Sequence, residues 1–363
     1  MAPGKPNQVF FILPYLAGGG AERVTLSLLR AFQKSSCWAP ILVLTTDRIG
    51  ALEDELPPEI KVIRLRAQNG RRAVGALLSL IWTRRPDVIF TSLDHVNATM
   101  GLLRSFLPRR TKLVLRATSL QSLEPGLLRR LLAFAFRQAD AVVFQSEAMR
   151  AKMVDALALH QHRSLVVIPN ALDRARIEAM AAAAPPEWPF PVVGQNRLVA
   201  AGRLDPVKGF DLLITAIARL NWANVQLCIL GQGPEEARLQ RAIDDYGLGD
   251  QVRLCGFQPN PYAIIARAHG FVLSSRVEGF PNVVLEALAC RCPVVATPVP
   301  GLGGLSGVRL AREISAESLT EAIGAFLQSP HAAEPDLALQ PYDVASVQAR
   351  YEALFDQLTR HEC

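Results

Sequence analysis

The sequence predicts an α/β fold: two Rossmann-like domains, each built on a parallel sheet, facing across a cleft. Three observations predict it. Short apolar runs, the mark of parallel strands buried on both faces, alternate with helical periodicities along the whole chain. With 363 residues, 50% of them hydrophobic, the chain is too long for one typical core and suits two domains. A Pro/Ala-rich stretch, Ala181-Ala182-Ala183-Ala184-Pro185-Pro186 followed by Pro189 and Pro191, separates the two alternating halves. The boundaries read as a first domain over 1–180, a link over 181–196, a second domain over 197–340 and a terminal helix over 344–358.

In the first half, Val9 to Leu16 reads as a strand. As a signal peptide the run is too short, carries Pro14 and leads straight into Gly18-Gly19-Gly20. Those glycines form a loop feeding a helix from Val24 to Phe32, with Val24, Leu28 and Leu29 on one face. Gly19 and Gly20 let backbone approach a ligand closely, although the dinucleotide fingerprint is absent. Strands follow at Ile41–Thr45, Ile60–Leu65 and Pro86–Thr91, with a helix over Ala73–Thr83. The fourth strand runs out into Ser92-Leu93-Asp94-His95-Val96-Asn97. Ligands bind beyond such strand ends, which makes His95 a candidate for contact with one. Lys112–Thr118 is a fifth strand with its exit, Leu127–Phe136 an apolar helix interrupted by Arg129-Arg130, and Ala141–Ser146 a strand before the helix Glu147–Ala158. Leu165–Asp173 closes the half.

The second half opens with the strand Arg197–Arg203, a loop through Lys208-Gly209 and a helix over Asp211–Leu220. Val225–Leu230 and Val252–Phe257 are strands flanking a helix over Glu235–Tyr246, and Asn260-Pro261 opens another helix. Phe271-Val272-Leu273 and Pro293–Thr297 are strands, and Ala316–Leu327 is a helix.

Chemistry concentrates between the last two of those strands, in Ser274-Ser275-Arg276-Val277-Glu278-Gly279-Phe280-Pro281-Asn282-Val283-Val284-Leu285-Glu286-Ala287-Leu288. Gly279 permits a tight turn, and Pro281 suits a first helical turn, where φ is preset and no N–H is needed. The spacing predicts strand, sharp loop, helix. The N–H groups of Phe280, Asn282 and Val283 would then point outward at the positive helix end, an arrangement that binds phosphate. Glu278 falls at the mouth of that site, and Glu286 about one turn inside the helix, where a carboxylate suits a ribose diol. Arg203 and Lys208 bracket a short loop and aim two cations at one diphosphate.

These residues carry a resemblance. Glu278 and Glu286 stand inside Ser-Arg-x-Glu-Gly-Phe-Pro-Asn-x-x-x-Glu-Ala. To these add Gly202-Arg203-Leu204 with Lys208-Gly209, the opening Gly19-Gly20-Ala21-Glu22-Arg23-Val24, and Ile168-Pro169-Asn170-Ala171-Leu172-Asp173 with Ala171 in place of a usual Gly. Together they resemble the retaining glycosyltransferases of the GT4 family, which have the GT-B fold. The resemblance spans nearly the whole chain and is densest over 197–296. It implies transfer from a nucleoside-diphosphate sugar, a UDP-hexose or UDP-N-acetylhexosamine, to a glycan or lipid-linked acceptor in bacterial polysaccharide synthesis, with retention of configuration. By resemblance Glu278, Arg203 and Lys208 are catalytic. Gly19, Gly20, Phe257, Gly279, Phe280, Pro281, Asn282, Val283 and Glu286 hold the donor, and the terminal helix crosses back onto the first domain. The chain departs from the family at Arg116-Ala117-Thr118, where relatives carry a His, which leaves His95 and Arg116 as acceptor-side candidates. Alternatives of the same architecture are a non-catalytic sugar-nucleotide binder and an epimerase or phosphorylase.

Composition narrows the setting. The net charge of +6 is uneven: residues 1–180 hold 25 Lys and Arg against 14 Asp and Glu, residues 181–363 hold 14 against 19. A basic first half suits an anionic membrane surface, and no nucleic acid is expected. Arg71-Arg72, Arg84-Arg85, Arg109-Arg110-Lys112 and Arg129-Arg130 neighbour Leu77, Leu78, Trp82, Leu102, Leu103, Phe106 and Leu107, which predicts peripheral contact. No apolar run reaches the ~20 residues a spanning helix needs. Six cysteines without a C-x-x-C pair read as reduced thiols of a cytoplasmic protein. No Asp-x-Asp pair offers to hold a divalent ion, so neither metal nor cofactor is expected and fixed charge must stabilise the leaving diphosphate.

Overall fold

The computed structural model describes residues 6–65, 70–118, 123–184, 188–190, 196–330 and 339–359. The chain divides into two units, Met1–Leu172 with Pro341–Cys363, and Asp173–Gln340. The division falls at Leu172, ahead of the predicted link; residues 185–187 and 191–195 of that link lie outside the described residues.

Unit 1 runs β1 (Asn7–Leu13), α1 (Gly20–Phe32), β2 (Trp38–Leu44), β3 (Lys61–Arg64), α2 (Gly70–Arg84), β4 (Val88–Thr91), α3 (Asp94–Leu103), β5 (Lys112–Arg116), α4 (Leu127–Gln138), β6 (Ala141–Phe144), α5 (Glu147–Leu157) and β7 (Leu165–Val167). Its seven strands pair in parallel in the order β3-β2-β1-β4-β5-β6-β7. The apolar runs are continuous because both faces of the sheet are covered. Val9, Phe11 and Leu13 enter one cluster with Phe32, Trp38 and Phe90, while Phe10 and Ile12 enter the other with Ile81, Met100 and Phe136. The order reverses direction between β1 and β4, and such a switch point opens a crevice at the C-terminal strand ends.

Two readings of unit 1 change. Helix α1 starts at Gly20, four residues before Val24, because Gly19 serves as its N-cap; Gly18 keeps a left-handed φ of 109° in the loop. The exit of β4 turns at once into α3, which buries Val96, Asn97, Ala98, Met100 and Gly101; the polar Asn97 and the small Ala98 and Gly101 interrupt the apolar stripe of Val96 and Met100. Gly101 is required there: a Cβ on it would stand 2.2 Å from the Ala135 Cα of α4.

Unit 2 runs α6 (Arg174–Ala181), β8 (Asn196–Ala201), α7 (Phe210–Leu220), β9 (Val225–Leu230), α8 (Glu236–Asp245), β10 (Val252–Leu254), α9 (Tyr262–Ile265), β11 (Gly270–Leu273), α10 (Asn282–Ala289), β12 (Val294–Ala296), β13 (Val308–Leu310) and α11 (Ala316–Gln328). Its strands are again parallel, in the order β10-β9-β8-β11-β12-β13, with the switch between β8 and β11. Cys228, Cys255, Cys290 and Cys292 are free thiols.

The terminal helix α12 (Val344–Thr359) belongs to unit 1. Phe355 is fully buried, stacked on Phe32 at 5.8 Å and edge-on to Trp38 at 5.3 Å between ring centroids. The Trp38 indole donates to Asp356 Oδ1 at 2.9 Å. Tyr342 O accepts the Leu172 N–H at 2.8 Å, so the returning chain runs beside the departing one. Phe355→Ala is expected to destabilise unit 1 by about 3–5 kcal/mol, the usual loss for a buried aromatic. Urea unfolding checks it; a loss below about 1 kcal/mol would mean that the site is loosely packed.

Candidate active site

The loops after β8 and β11 meet at the switch point of unit 2 and are tied together by backbone. Ser274 Oγ donates to Lys208 O at 2.8 Å, and the Arg276 N–H to Val207 O at 2.7 Å. Arg276 Nη1 donates to Pro206 O at 2.8 Å, while its two terminal nitrogens hold the Asp211 carboxylate at 2.7 Å each. Burial pushes the Asp211 carboxyl up, but the Arg276 and Arg238 guanidiniums outweigh it and hold the pKa below its ordinary value. Gly209 closes the contact with a left-handed φ of 62°; a Cβ there would stand 2.1 Å from Ser274 O. From below, Thr297 Oγ1 donates to Ser275 O at 2.6 Å.

On this base stand Lys208 and Glu278. Lys208 Nζ lies 2.6 Å from Glu278 Oε1, which also accepts from Ser275 Oγ at 2.7 Å. The Glu278 side chain is 11% exposed. Arg203 sits at the mouth, 73% exposed, its Nε 4.0 Å from Asp205 Oδ2. The short 3₁₀ turn Pro206–Lys208, capped by Asp205, separates the two cations.

Helix α10 begins at Asn282 with Pro281 as N-cap, so Pro281 precedes the first turn it was expected to occupy. Two N–H groups of the turn are used internally: Asn282 donates to Phe280 O at 3.1 Å and Val284 to Pro281 O at 3.0 Å. The predicted outward set therefore loses Asn282, since the tight Phe280-Pro281 turn curls its N–H inward. Gly279, Phe280 and Pro281 are buried and Val283 is half-buried. The Phe280 ring lies over Gly301, 2.9 Å from where a Cβ would stand. Glu286 is half-buried in the second turn; burial and then Glu286 push the Cys290 thiol up to about 12. Phe257 is 41% exposed beyond β10, just after Gly256 at a φ of 66°, whose carbonyl takes the Gly231 N–H at 2.8 Å.

The remaining candidates belong to unit 1. Gly19 and Gly20 are exposed at the start of α1, and His95 is exposed in the first turn of α3 rather than at a strand end. Arg116 is 1% exposed. Its Nη2 donates to Asn170 Oδ1, while its Nε and Nη1, like Tyr351 OH, have no hydrogen-bond partner. Burial lowers the Arg116 pKa and raises that of Tyr351 to about 12. Among the described residues no group of three or more His, Cys, Asp or Glu is placed to hold a metal ion.

Sequence reasoning missed the polar residues that line the C-terminal strand ends of unit 1. Thr25 Oγ1 lies 3.3 Å from Ser92 Oγ, Thr118 Oγ1 donates to Ser92 O at 3.0 Å, and Asn97 Nδ2 donates to Arg116 O at 2.9 Å. Glu22, in the first turn of α1, is 7% exposed, and its Oε2 overhangs Gly19.

Two family models match the chain. Glycosyltransferase Family 4 covers residues 18–176, and Glycosyl transferases group 1 covers residues 189–336. The chain belongs to the family 4 glycosyltransferases. It is similar to the N-acetylgalactosamine-N,N'-diacetylbacillosaminyl-diphospho-undecaprenol 4-alpha-N-acetylgalactosaminyltransferase of Campylobacter jejuni, 27% identical over 78% of each chain. It also matches the lipopolysaccharide core biosynthesis glycosyltransferase LpsE of Rhizobium meliloti, 34% identical over 46% of each. In fold it is similar to Anabaena HepE, solved in complex with UDP and glucose: TM-score 0.78 at 18% identity, covering 97% of this chain and all of that one. The architecture of this glycosyltransferase is thus the GT-B type, with both parallel-sheet domains present.

Glu22 yields a pH prediction. Burial raises its pKa above the ordinary carboxyl value, against the opposing bond from its own N–H. The native state then binds the proton more tightly than the unfolded chain. Its stabilising contribution is full below the ordinary pKa and is lost as pH rises through the raised one. Glu22→Gln is therefore expected to gain stability over the parent at about pH 7 and little at about pH 4. Denaturant melts at both values check this, and an equal difference at the two would contradict it.

Proposed function

We propose that this chain transfers a hexose or N-acetylhexosamine from a UDP-sugar to a glycan or lipid-linked acceptor, with retention of anomeric configuration. The observation that carries the reading is the Lys208–Glu278 pair, half-sheltered at the switch point beside the start of α10. The names of the Campylobacter and Rhizobium relatives support a lipid-linked or lipopolysaccharide acceptor, and the UDP complex of HepE supports the donor.

The residues divide the work as follows. Lys208 and Arg203 face the diphosphate while the C1–O bond breaks and its electron pair moves to the β-phosphate oxygen. An ammonium has three donors, so Lys208 keeps its bond to Glu278 and still reaches the leaving group. Glu278 hydrogen-bonds the sugar hydroxyls and stabilises the positive charge at the anomeric carbon, and Glu286 holds the ribose. The acceptor hydroxyl attacks on the face the diphosphate leaves, and its proton passes to the departing oxygen. Built-in cations do the work of a metal, so turnover should survive EDTA.

Lys208→Ala is expected to lower kcat about 100-fold, the scale of a lost transition-state donor. Glu278→Ala should likewise act on kcat, whereas Glu286→Ala should raise the donor KM with kcat kept. Steady-state kinetics on UDP-sugars with an undecaprenyl-type acceptor measure all three, and the reverse pattern for the two glutamates would exchange their roles.

A lipid-linked acceptor implies contact with a membrane. Among the described residues no helix is long and apolar enough to cross one. Of the apolar residues expected at the surface, Leu77 and Leu107 are core, and Leu78 and Leu103 pack against it. Trp82, Leu102 and Phe106 are exposed, as are Leu127, Leu128 and Phe134 of α4. The Trp82 indole donates to Phe106 O at 2.9 Å, which holds these two aromatics together. Arg84, Arg85, Arg109, Arg110 and Arg130 accompany them; the side chains of Arg71 and Arg72 lie outside the described ones. Such a surface lies in the headgroup zone without spanning it, and each cation near anionic lipid adds roughly 1 kcal/mol. The protein should float with anionic but not neutral liposomes, and Phe106→Ser with Leu127→Ser should weaken this. Absence of flotation at low salt would point to a soluble acceptor.

A further inference from the structure

One pair of side chains in unit 2 has no part in the proposed transfer. In the parallel pairing of β9 with β10, Cys228 stands opposite Arg253. Cys255 follows β10 and donates its N–H to Ile229 O at 2.8 Å. Both cysteines lie on the sheet face turned away from the cluster of Val225, Leu227, Ile229 and Val252. On that face Cys255 lies two residues beyond the partner of Cys228, which makes the two side chains diagonal neighbours. Cys228 is 1% exposed, while Cys255 is partly open to solvent and its Sγ lies 3.5 Å from Arg253 O. The contact with Cys255 raises the Cys228 pKa and lowers that of Cys255, with Arg253 adding to the second effect. An accessible, thiolate-prone sulfur against a buried second thiol is the arrangement in which oxidation stops at the reversible disulfide.

We propose that Cys255 and Cys228 form a reversible thiol–disulfide site, oxidised by hydrogen peroxide or another hydroperoxide. The Cys255 thiolate attacks a peroxide oxygen: an S–O bond forms, the O–O bond breaks, and water leaves after taking up a proton. The Cys228 sulfur then attacks the sulfenic sulfur: an S–S bond forms, the S–O bond breaks, and the thiol proton leaves with the hydroxyl as a second water. Peroxide is reduced and two thiols are oxidised. The register sets Cys255 slightly beyond Cys228, so closure draws in the segment just past β10, where the chain has left the strand. That segment leads directly into Gly256 and Phe257. Oxidation thereby reaches the loop assigned above to the donor, a consequence that rests on that assignment; the disulfide itself does not.

The test treats the full chain with hydrogen peroxide, blocks free thiols by alkylation and maps peptides by mass without reductant. A linked pair of peptides carrying Cys228 and Cys255 is expected, opened by dithiothreitol. In Cys228→Ala the reaction should stop at a dimedone-trapped sulfenic acid on Cys255. In the parent protein, two unlinked thiols, or Cys255 carried on to sulfinic acid with Cys228 untouched, would overturn the proposal. In the same samples the rise in Tm caused by UDP should be smaller after oxidation and restored by dithiothreitol. A linked pair with an undiminished UDP response would overturn the coupling to Phe257, and no UDP response in either redox state would count against the donor site alone.

Discussion

The candidate site depends on one physical constraint: two loops from neighbouring parallel strands must be held at a fixed separation although no strand hydrogen bond joins them. The bonds from Ser274 to Lys208 O, from Arg276 to Val207 O and Pro206 O, and from Arg276 to Asp211 meet that requirement. They satisfy backbone carbonyls that the strand ends leave open. Gly209 allows the approach, since any side chain would collide with Ser274 O. Only with this base in place can Lys208 and Glu278 stand 2.6 Å apart. A charge pair in partial shelter is strongly stabilised only when its geometry is maintained, and here it is maintained by main chain rather than by flexible side chains. Preorganised charge of that kind is what a leaving diphosphate requires.

Unit 1 solves a different problem with the same topology. Its switch point is lined by small hydroxyl and amide side chains, Thr25, Ser92, Asn97 and Thr118, and by the sheltered Glu22. The cation expected on its surface, Arg116, is turned into the interior toward Asn170 and Tyr351. A buried guanidinium with unsatisfied donors is costly, and burial depresses its pKa accordingly. What unit 1 shows at those strand ends is therefore short, polar and weakly charged, in contrast to the cationic mouth of unit 2.

The legible parts of the sequence were those with one dominant period or one obligatory residue. Continuous runs such as Val9 to Leu13 announced strands covered on both faces. The spacing of Arg203, Lys208, Glu278 and Glu286 announced a strand–loop–helix site. What escaped was decided by tertiary contact. Helix α3 was hidden because the buried Asn97 and Gly101, the second held against α4 at close range, interrupt the apolar stripe of Val96 and Met100. The inward turn of Arg116 depended on Asn170 and Tyr351, far apart in sequence. The loss of the Asn282 N–H followed from a local turn around Phe280 and Pro281 that residue type alone does not specify. The placement of Cys228 and Cys255 as diagonal neighbours on one sheet face required the register of β9 and β10.

Hydrogen–deuterium exchange of the full chain with and without UDP tests the central claim most directly. Bound nucleotide should slow exchange in two separate segments, 202–209 and 275–289, because both loops form one site; amides that shelter a ligand open less often. The Lys208→Ala variant should lose protection in both at once. Protection confined to one of these segments, or appearing elsewhere in unit 2 with both unchanged, would contradict the account.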